Sequence, residues 1–274
     1  MALDLGKVFG FALRYPLRKD VFFVLFAVTL IFSLLSWFLT GYLIGDVSAL
    51  GGAGLAEIIG GVVSSAIYLG PVIIAGWLVG IFLTAAYFDN SAKFFKGKRK
   101  PILGSFEIAK ERFLPLLVTL IILGLVLLAC FGGFLFILIP TLIAPQTGLI
   151  FLVAGVIWIL AGLVIGAVVA FMTFLSPVFC VLDKTGPVDS IKKSWNLIGK
   201  NKLNTFLFFI IFFVIFIAVS LAGSIPEIVF AFFAGEIPLL SIESFSFLVF
   251  RMIFTVYLNM FAYSSYVNYY LSTR

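Results

Sequence analysis

The stretch Phe174–Lys202, FLSPVFCVLDKTGPVDSIKKSWNLIGKNK, decides the fold: an apolar span ends at a proline, a basic amphipathic segment follows, and a second apolar span begins. Pro187 suits the first turn of a helix, where its missing N–H would be unpaired anyway. Val188, Ile191, Trp195 and Ile198 then fall at i, i+3, i+7 and i+10 and share one face. Lys192, Lys193, Asn196 and Lys200 take the other face. One reading is a helix at a membrane surface, its Trp and Ile dipped into the bilayer and its lysines beside lipid phosphates. The other is a connector helix packed on the rest of the protein.

Around this stretch the chain is far too apolar for a soluble core. Of its 274 residues, 63% are hydrophobic and only 11% charged, against roughly 45–50% and 25% in an average soluble domain. Uncharged runs longer than the roughly 20 residues needed to cross hydrocarbon predict an all-α, polytopic transmembrane helical bundle. A membrane barrel would need ten-residue alternating segments, which are absent. Six spans are expected at about 21–45, 58–88, 113–141, 149–177, 203–224 and 245–271, in a single membrane domain over residues 1–274. The second run is too long for one straight crossing, and Gly70-Pro71 is expected to divide it. The turn IPTLIAPQTG reverses the chain between the third and fourth spans. Residues 225–244, with Pro226 and Pro238, are expected to form a helical excursion on the far surface. The apolar run of the first span is too long for a signal peptide, so it is expected to remain as a span.

Lys and Arg fix the orientation, because short loops rich in them stay in the cytoplasm. Of the 18 basic residues, every one except Arg251 falls on the side of the two termini. The opposite side carries Asp46, Glu57, Glu227, Glu236 and Glu243. The expectation is a plasma-membrane protein with both termini cytoplasmic and short cytoplasmic interfacial helices. The basic loop around Lys93–Lys100 could attract anionic lipid or nucleic acid, but its plainest role is to set this topology, and no nucleic-acid partner is expected.

An internal repeat runs through the chain. Gly76, Gly80 and Pro101 recur 86 residues later as Gly162, Gly166 and Pro187, and Ser105, Phe106 and Ala109 recur 85 later as Ser190, Ile191 and Ser194. Leu5-Gly6, Val8, Arg14 and Tyr15 match Leu103-Gly104, Phe106, Arg112 and Phe113 less closely. The simplest description is three units of surface helix, span and span, at about 1–92, 93–182 and 183–274. In the first unit Leu5, Val8 and Ala12 form the apolar side of the surface helix, with Lys7 and Arg14 off it. Gly76-x-x-x-Gly80 and Gly162-x-x-x-Gly166 have the spacing that lets helix backbones approach, within one chain or between two copies.

Ser176-Pro177, Asp183, Gly186, Asp189-Ser190-Ile191, Lys193-Ser194-Trp195, Leu197 and Lys200 together resemble a motif of a loose group of prokaryotic six-span proteins. That group includes the membrane domain attached to some glycerophosphodiester phosphodiesterases and uncharacterised archaeal membrane proteins. GKRKPILGSFEIAKERFLPLL from Gly97 is similar to the first-repeat version of the motif. Ser190 stands where the group usually has alanine. The resemblance implies a fold and a location; the soluble phosphodiesterase domain is absent, so that activity is not implied.

No catalytic constellation stands out. There is no histidine, no spaced cysteine cluster, and none of the phosphate-loop, serine-hydrolase or zincin motifs, so no cofactor, metal site or enzymatic activity is expected. Cys130 and Cys180 read as small hydrophobes. The informative residue is Arg251, because an arginine inside a span costs at least about 2.5–3.5 kcal/mol and is normally paired or in a wet cavity. Thr255, Asn259, Tyr266 and Tyr269 fall within about 80° of it on a helical wheel, forming one polar stripe. The stripe either lines a cavity or serves interhelical bonding, with Glu227 or Glu236 pairing the arginine. Two functions follow: a non-catalytic scaffold binding membrane lipids or a protein partner on its basic face, or a small-solute or lipid transporter with a cavity lined by the sixth span. A polar cavity there favours the second.

Overall fold

The computed structural model describes residues 4–48, 55–98, 100–132, 148–234 and 242–274, and it is helical with no strand among them. In chain order the helices are α1 (Leu5–Arg14), α2 (Lys19–Ser48), α3 (Leu55–Phe95), α4 (Phe106–Phe131), α5 (Gly148–Thr173), α6 (Ser176–Leu182), α7 (Pro187–Lys200), α8 (Lys202–Ala234) and α9 (Ile242–Thr273), with 3-10 turns at Tyr15–Leu17 and Ile102–Ser105. Among the described residues six stretches are long and apolar enough to cross a membrane: Lys19–Ser36, Leu69–Phe95, Ile102–Cys130, Val153–Leu182, Lys202–Pro226 and Phe245–Thr273. A short helical element precedes each of the long-helix pairs α2/α3, α4/α5 and α8/α9 among the described residues. The turn at 139–148 falls almost wholly outside the described residues, as do the residues beyond Ala234 in the expected far-surface excursion.

Two boundaries differ from expectation. α3 runs unbroken for 41 residues with Pro71 inside it, and α8 continues through Pro226 to Ala234. A proline removes one backbone hydrogen bond and crowds one carbonyl, which bends a long helix without ending it when its flanks favour helix. α3 ends instead at Gly97. Its φ of 77° places it in the left-handed region, where Lys98 N–H reaches the Lys93 carbonyl at 2.8 Å and Gly97 N–H the Phe94 carbonyl at 2.9 Å, the double bond of a Schellman cap.

The chain forms two compact units, one of Met1–Lys110 with Phe206–Arg274, the other Glu111–Thr205. In the first, Asp4 caps α1 by accepting from Lys7 N–H at 3.0 Å. Val8, Phe9 and Ala12 are buried, and the Phe9 ring stacks on Phe208 at 5.3 Å and Phe261 at 6.2 Å. The amphipathic N-terminus therefore docks on the C-terminal half of α9, and Asn268 donates to the Val8 carbonyl at 3.3 Å. A polar network ties α1, α2 and α3 together around Asn90, which is fully buried. Its side-chain oxygen accepts from the Tyr15 hydroxyl at 3.2 Å and from Arg18 Nη1 at 3.4 Å, while its amide donates to the Lys100 carbonyl at 3.1 Å. Arg18 Nη2 reaches the same carbonyl at 3.0 Å and Asp20 at 2.7 Å. Burial pushes the Tyr15 phenol well above its usual range, so it stays protonated and able to donate.

In the second unit Ser194 donates to the Met172 carbonyl at 2.9 Å. That carbonyl lies in the last turn of α5, where it has no intrahelical partner, so the bond both caps α5 and fixes α7 against it. Glu111 lies between Arg112 at 2.7 Å and Lys184 at 3.1 Å.

In three pairs of long helices a glycine marks a close approach. A Cβ on Gly76 would sit 3.2 Å from the Phe32 ring of α2, one on Gly162 would overlap the Cys130 carbonyl of α4, and one on Gly223 would sit 2.9 Å from Phe254 of α9. A close backbone approach within one chain thus accounts for Gly162, and room for the Phe32 ring accounts for Gly76.

Candidate functional site

Three helices of the first unit, α2, α3 and α9, line an open cavity of about 570 Å³. Ligand pockets commonly measure about 300–1,000 Å³, so this one has room for a small ligand or the head of a larger one. Its polar lining is Thr29, Ser33 and Ser36 from α2 and Asn259 and Tyr263 from α9, with Gly76 and Gly80 leaving space on the α3 side. Leu25, Val28, Phe32, Leu83 and Leu248 supply the apolar wall. Asn259 is exposed and makes no hydrogen bond among the described residues. A Cβ on Gly80 would meet nothing within 4 Å, so the floor of the cavity is open there.

Among the described residues the lining carries no ionised side chain. Thr84 has a single hydroxyl proton, which it gives to the Gly80 carbonyl at 2.8 Å. In the 3.1 Å contact between Thr84 and Tyr263 the phenol is therefore the donor. Tyr263 is held in place by stacking on Tyr87 at 5.7 Å and an edge contact with Phe88 at 5.7 Å.

A smaller cavity of about 230 Å³ lies between α8 and α9 and shares Asn259 with the first. Arg251, Thr255, Ser220 and Ser224 supply its other polar groups. Thr255 donates to the Arg251 carbonyl at 3.0 Å and Ser224 to the Ser220 carbonyl at 3.1 Å, leaving hydroxyl oxygens as acceptors. Arg251 is exposed and already has an interaction within the chain. In the second unit a cavity of about 710 Å³ is lined by apolar residues of α4 and α5, including Ala129, Ile157 and Ile165. Its Trp158 indole N–H bonds the Ala129 carbonyl at 3.4 Å, so this groove has little with which to orient a polar group.

Of the stripe predicted on the sixth span, Arg251, Thr255 and Asn259 line cavities as a group. Tyr266 does not join them: it packs on Phe212 at 5.4 Å. Tyr269 is fully buried against Phe208 at 4.5 Å. The stripe is continuous on the wheel but divided along its length, because the C-terminal half of α9 is covered by α1 and α8. The Glu227 side chain and Glu236 lie outside the described residues. The residues that sequence periodicity missed are Thr29, Ser33 and Ser36, which stand at i, i+4 and i+7 on α2 and were hidden by the apolar run around them, and Tyr263, one turn beyond Asn259.

The basic helix α7 starts at Pro187, as predicted, but it docks through Ser190, Ser194 and Ile198, all buried. Ile191 is half-buried, whereas Val188 and Trp195 remain 54% and 44% exposed beside Lys192 and Lys193. The four-residue apolar face is thus split. Small serines allow the close contact with α5, and the bulky residues point outward.

No curated protein and no solved structure matches the chain. A family model described as a domain of unknown function (DUF7847) matches residues 24–272, from within α2 to the last turn of α9, and so takes in every cavity-lining residue. The chain therefore belongs to the DUF7847 family.

Proposed function

We propose that this is a non-catalytic, multi-pass plasma-membrane protein that takes up an amphiphile in the cavity lined by its sixth long helix. The observation that carries the reading is the five-residue polar lining, Thr29, Ser33, Ser36, Asn259 and Tyr263, set in a helix bundle otherwise so apolar. Polar groups inside a membrane-spanning helix are expensive unless they serve packing or a ligand, and Asn259 serves no packing bond among the described residues. A cavity of this kind favours ligand uptake over a purely structural bundle, and the adjoining Arg251 cavity would extend it into a path for a solute or lipid. The resemblance to the membrane domain of glycerophosphodiester phosphodiesterases is one of motif alone and contributes no activity here.

The test is native mass spectrometry of the full chain released from a mild detergent. Wild type should retain a bound amphiphile. Gly80→Leu, whose side chain enters open space, should lose it while melting normally, and Gly124→Leu, equally unhindered but outside the cavity lining, should keep it. Retention of the same ligand by folded Gly80→Leu contradicts the reading.

Topology is a second expected result. Both termini and the loops around Lys98 and Lys193 should be cytoplasmic. A cysteine introduced at Lys98 should stay unlabelled by an impermeant reagent in intact cells, and labelling there would reverse the orientation.

A scaffold that gathers anionic lipid or a protein partner on the basic face is the second reading, favoured by exposed Val188 and Trp195 beside Lys192 and Lys193. Trp195 and Asn196 are both exposed, so in the protein alone their replacement by lysine should be equivalent. In a bilayer, Trp195→Lys should lower the melting temperature more than Asn196→Lys. Equal shifts in bilayers would remove the interfacial role.

A further inference from the structure

We infer that the cavity between α2, α3 and α9 selects an uncharged amphiphile whose head presents a hydroxyl, seated between Asn259 and Tyr263; this rests on the ligand-uptake reading above and deepens it.

Three observations lead there. First, no ionised group lines the cavity among the described residues. An ionic headgroup entering it would lose hydration without gaining a counter-charge, which an apolar bundle penalises. Arg251 is the nearest cation along α9, but it lines the adjoining cavity and already has an interaction within the chain.

Second, the donors and acceptors of the lining are set by chemistry. Because Thr84 donates to the Gly80 carbonyl, Tyr263 must donate to Thr84, and the phenol oxygen offers the cavity only lone pairs. It therefore calls for a donor on the ligand. Asn259, one helical turn before Tyr263, offers both an amide N–H and a carbonyl. Residues four apart on a helix have Cβ atoms about 5–6 Å apart, a span that one hydroxyl can bridge by accepting from Asn259 and donating to Tyr263. A ketone, an ester or a methyl ether could satisfy Asn259 but would leave Tyr263 unmatched.

Third, Leu25, Val28, Phe32, Leu83 and Leu248 make the remainder of the wall apolar, which suits the hydrocarbon part of the same molecule. A free sugar or amino acid would leave that wall unused. Thr29, Ser33 and Ser36 on the opposite helix can take any second hydroxyl of a glycerol-type head.

The experiment uses the purified full chain in lipid nanodiscs and three probes with the same acyl chains: a fluorescent diacylglycerol, its 3-O-methyl ether and the corresponding phosphatidate. Diacylglycerol is expected to bind about tenfold more tightly than either of the others, as expected when a buried partner is left unmatched. Tyr263→Phe should weaken diacylglycerol several-fold and bring the alcohol and its ether close together, with the melting temperature measured in parallel to separate binding from folding. Asn259→Leu, on the exposed side of α9, provides a second variant and should weaken both alcohol and ether. Preference for phosphatidate, or equal binding of alcohol and ether by wild type, overturns this inference and leaves the uptake reading standing. Binding of none of the three, together with no co-purified ligand sensitive to Gly80→Leu, overturns both.

Discussion

Gly162→Ala should destabilise the protein by about 1–3 kcal/mol, the range for forcing extra volume into a packed contact, whereas Gly124→Ala should be neutral or gain up to about 1 kcal/mol from helix propensity. Both positions lie on long helices, α5 and α4. They differ in what a methyl would meet: at Gly162 it overlaps the backbone carbonyl of Cys130, and at Gly124 it meets nothing within 4 Å. A side chain can swing away from an intruding Cβ, but a carbonyl in a helix cannot move without its helix. Gly76 provides the intermediate case, since a methyl there would meet the Phe32 ring at 3.2 Å, and that ring can rotate. Thermal unfolding in detergent, followed by fluorescence-detected size exclusion, should therefore rank the alanine variants Gly162 as most destabilised, then Gly76, then Gly124. Equal melting temperatures for the Gly162 and Gly124 variants would show that α4 and α5 do not approach as described.

Asn90→Leu is expected to have an effect of similar or greater size, about 2–4 kcal/mol, because its loss leaves several buried groups short of partners. The Tyr15 hydroxyl would retain only the Tyr87 carbonyl at 3.5 Å, Arg18 Nη1 would lose its acceptor at 3.4 Å, and the Lys100 carbonyl would lose one of two donors. Each unsatisfied buried group costs about 1–3 kcal/mol, and partial exposure of Arg18 lowers the sum. The exposed Asn196→Leu should change little by comparison. A melting temperature for Asn90→Leu within a degree of wild type would show that the network contributes nothing to folding.

The long apolar helices and their number were legible because hydrocarbon thickness sets a length that composition must meet, and a run such as Leu203–Ser224 has few alternatives. The amphipathic elements were legible too: Val8 and Ala12, placed on the apolar side of the first surface helix, are buried. Helix ends inside apolar runs were not. Pro71 and Pro226 interrupt hydrogen bonding locally, but the residues on both sides favour helix and the chain continues through them. On α7, hydrophobicity marked residues able to meet lipid or protein, and Val188 and Trp195 stay exposed there, but it gave no sign of Ser190 and Ser194, which are buried because small side chains permit close approach and Ser194 finds a carbonyl at 2.9 Å. Of the polar residues of the larger cavity only Asn259 was visible in the sequence, together with Arg251 and Thr255 of the smaller one. Arg251, Thr255 and Asn259 stood out on a polar stripe, while Thr29, Ser33 and Ser36 did not, since serine and threonine in an apolar helix are commonly used to bond their own backbone. Asn90 was equally hidden, because its partners Tyr15 and Arg18 lie more than 70 residues away.

Ligand uptake between α2 and α9 is tested most directly by a high-resolution experimental structure of the full chain in a lipid environment. Non-protein density is expected within hydrogen-bonding reach of Asn259 and Tyr263, with its apolar part along Leu25 and Phe32. Side chains closing that space, with Asn259 bonded to a neighbouring helix, would contradict it.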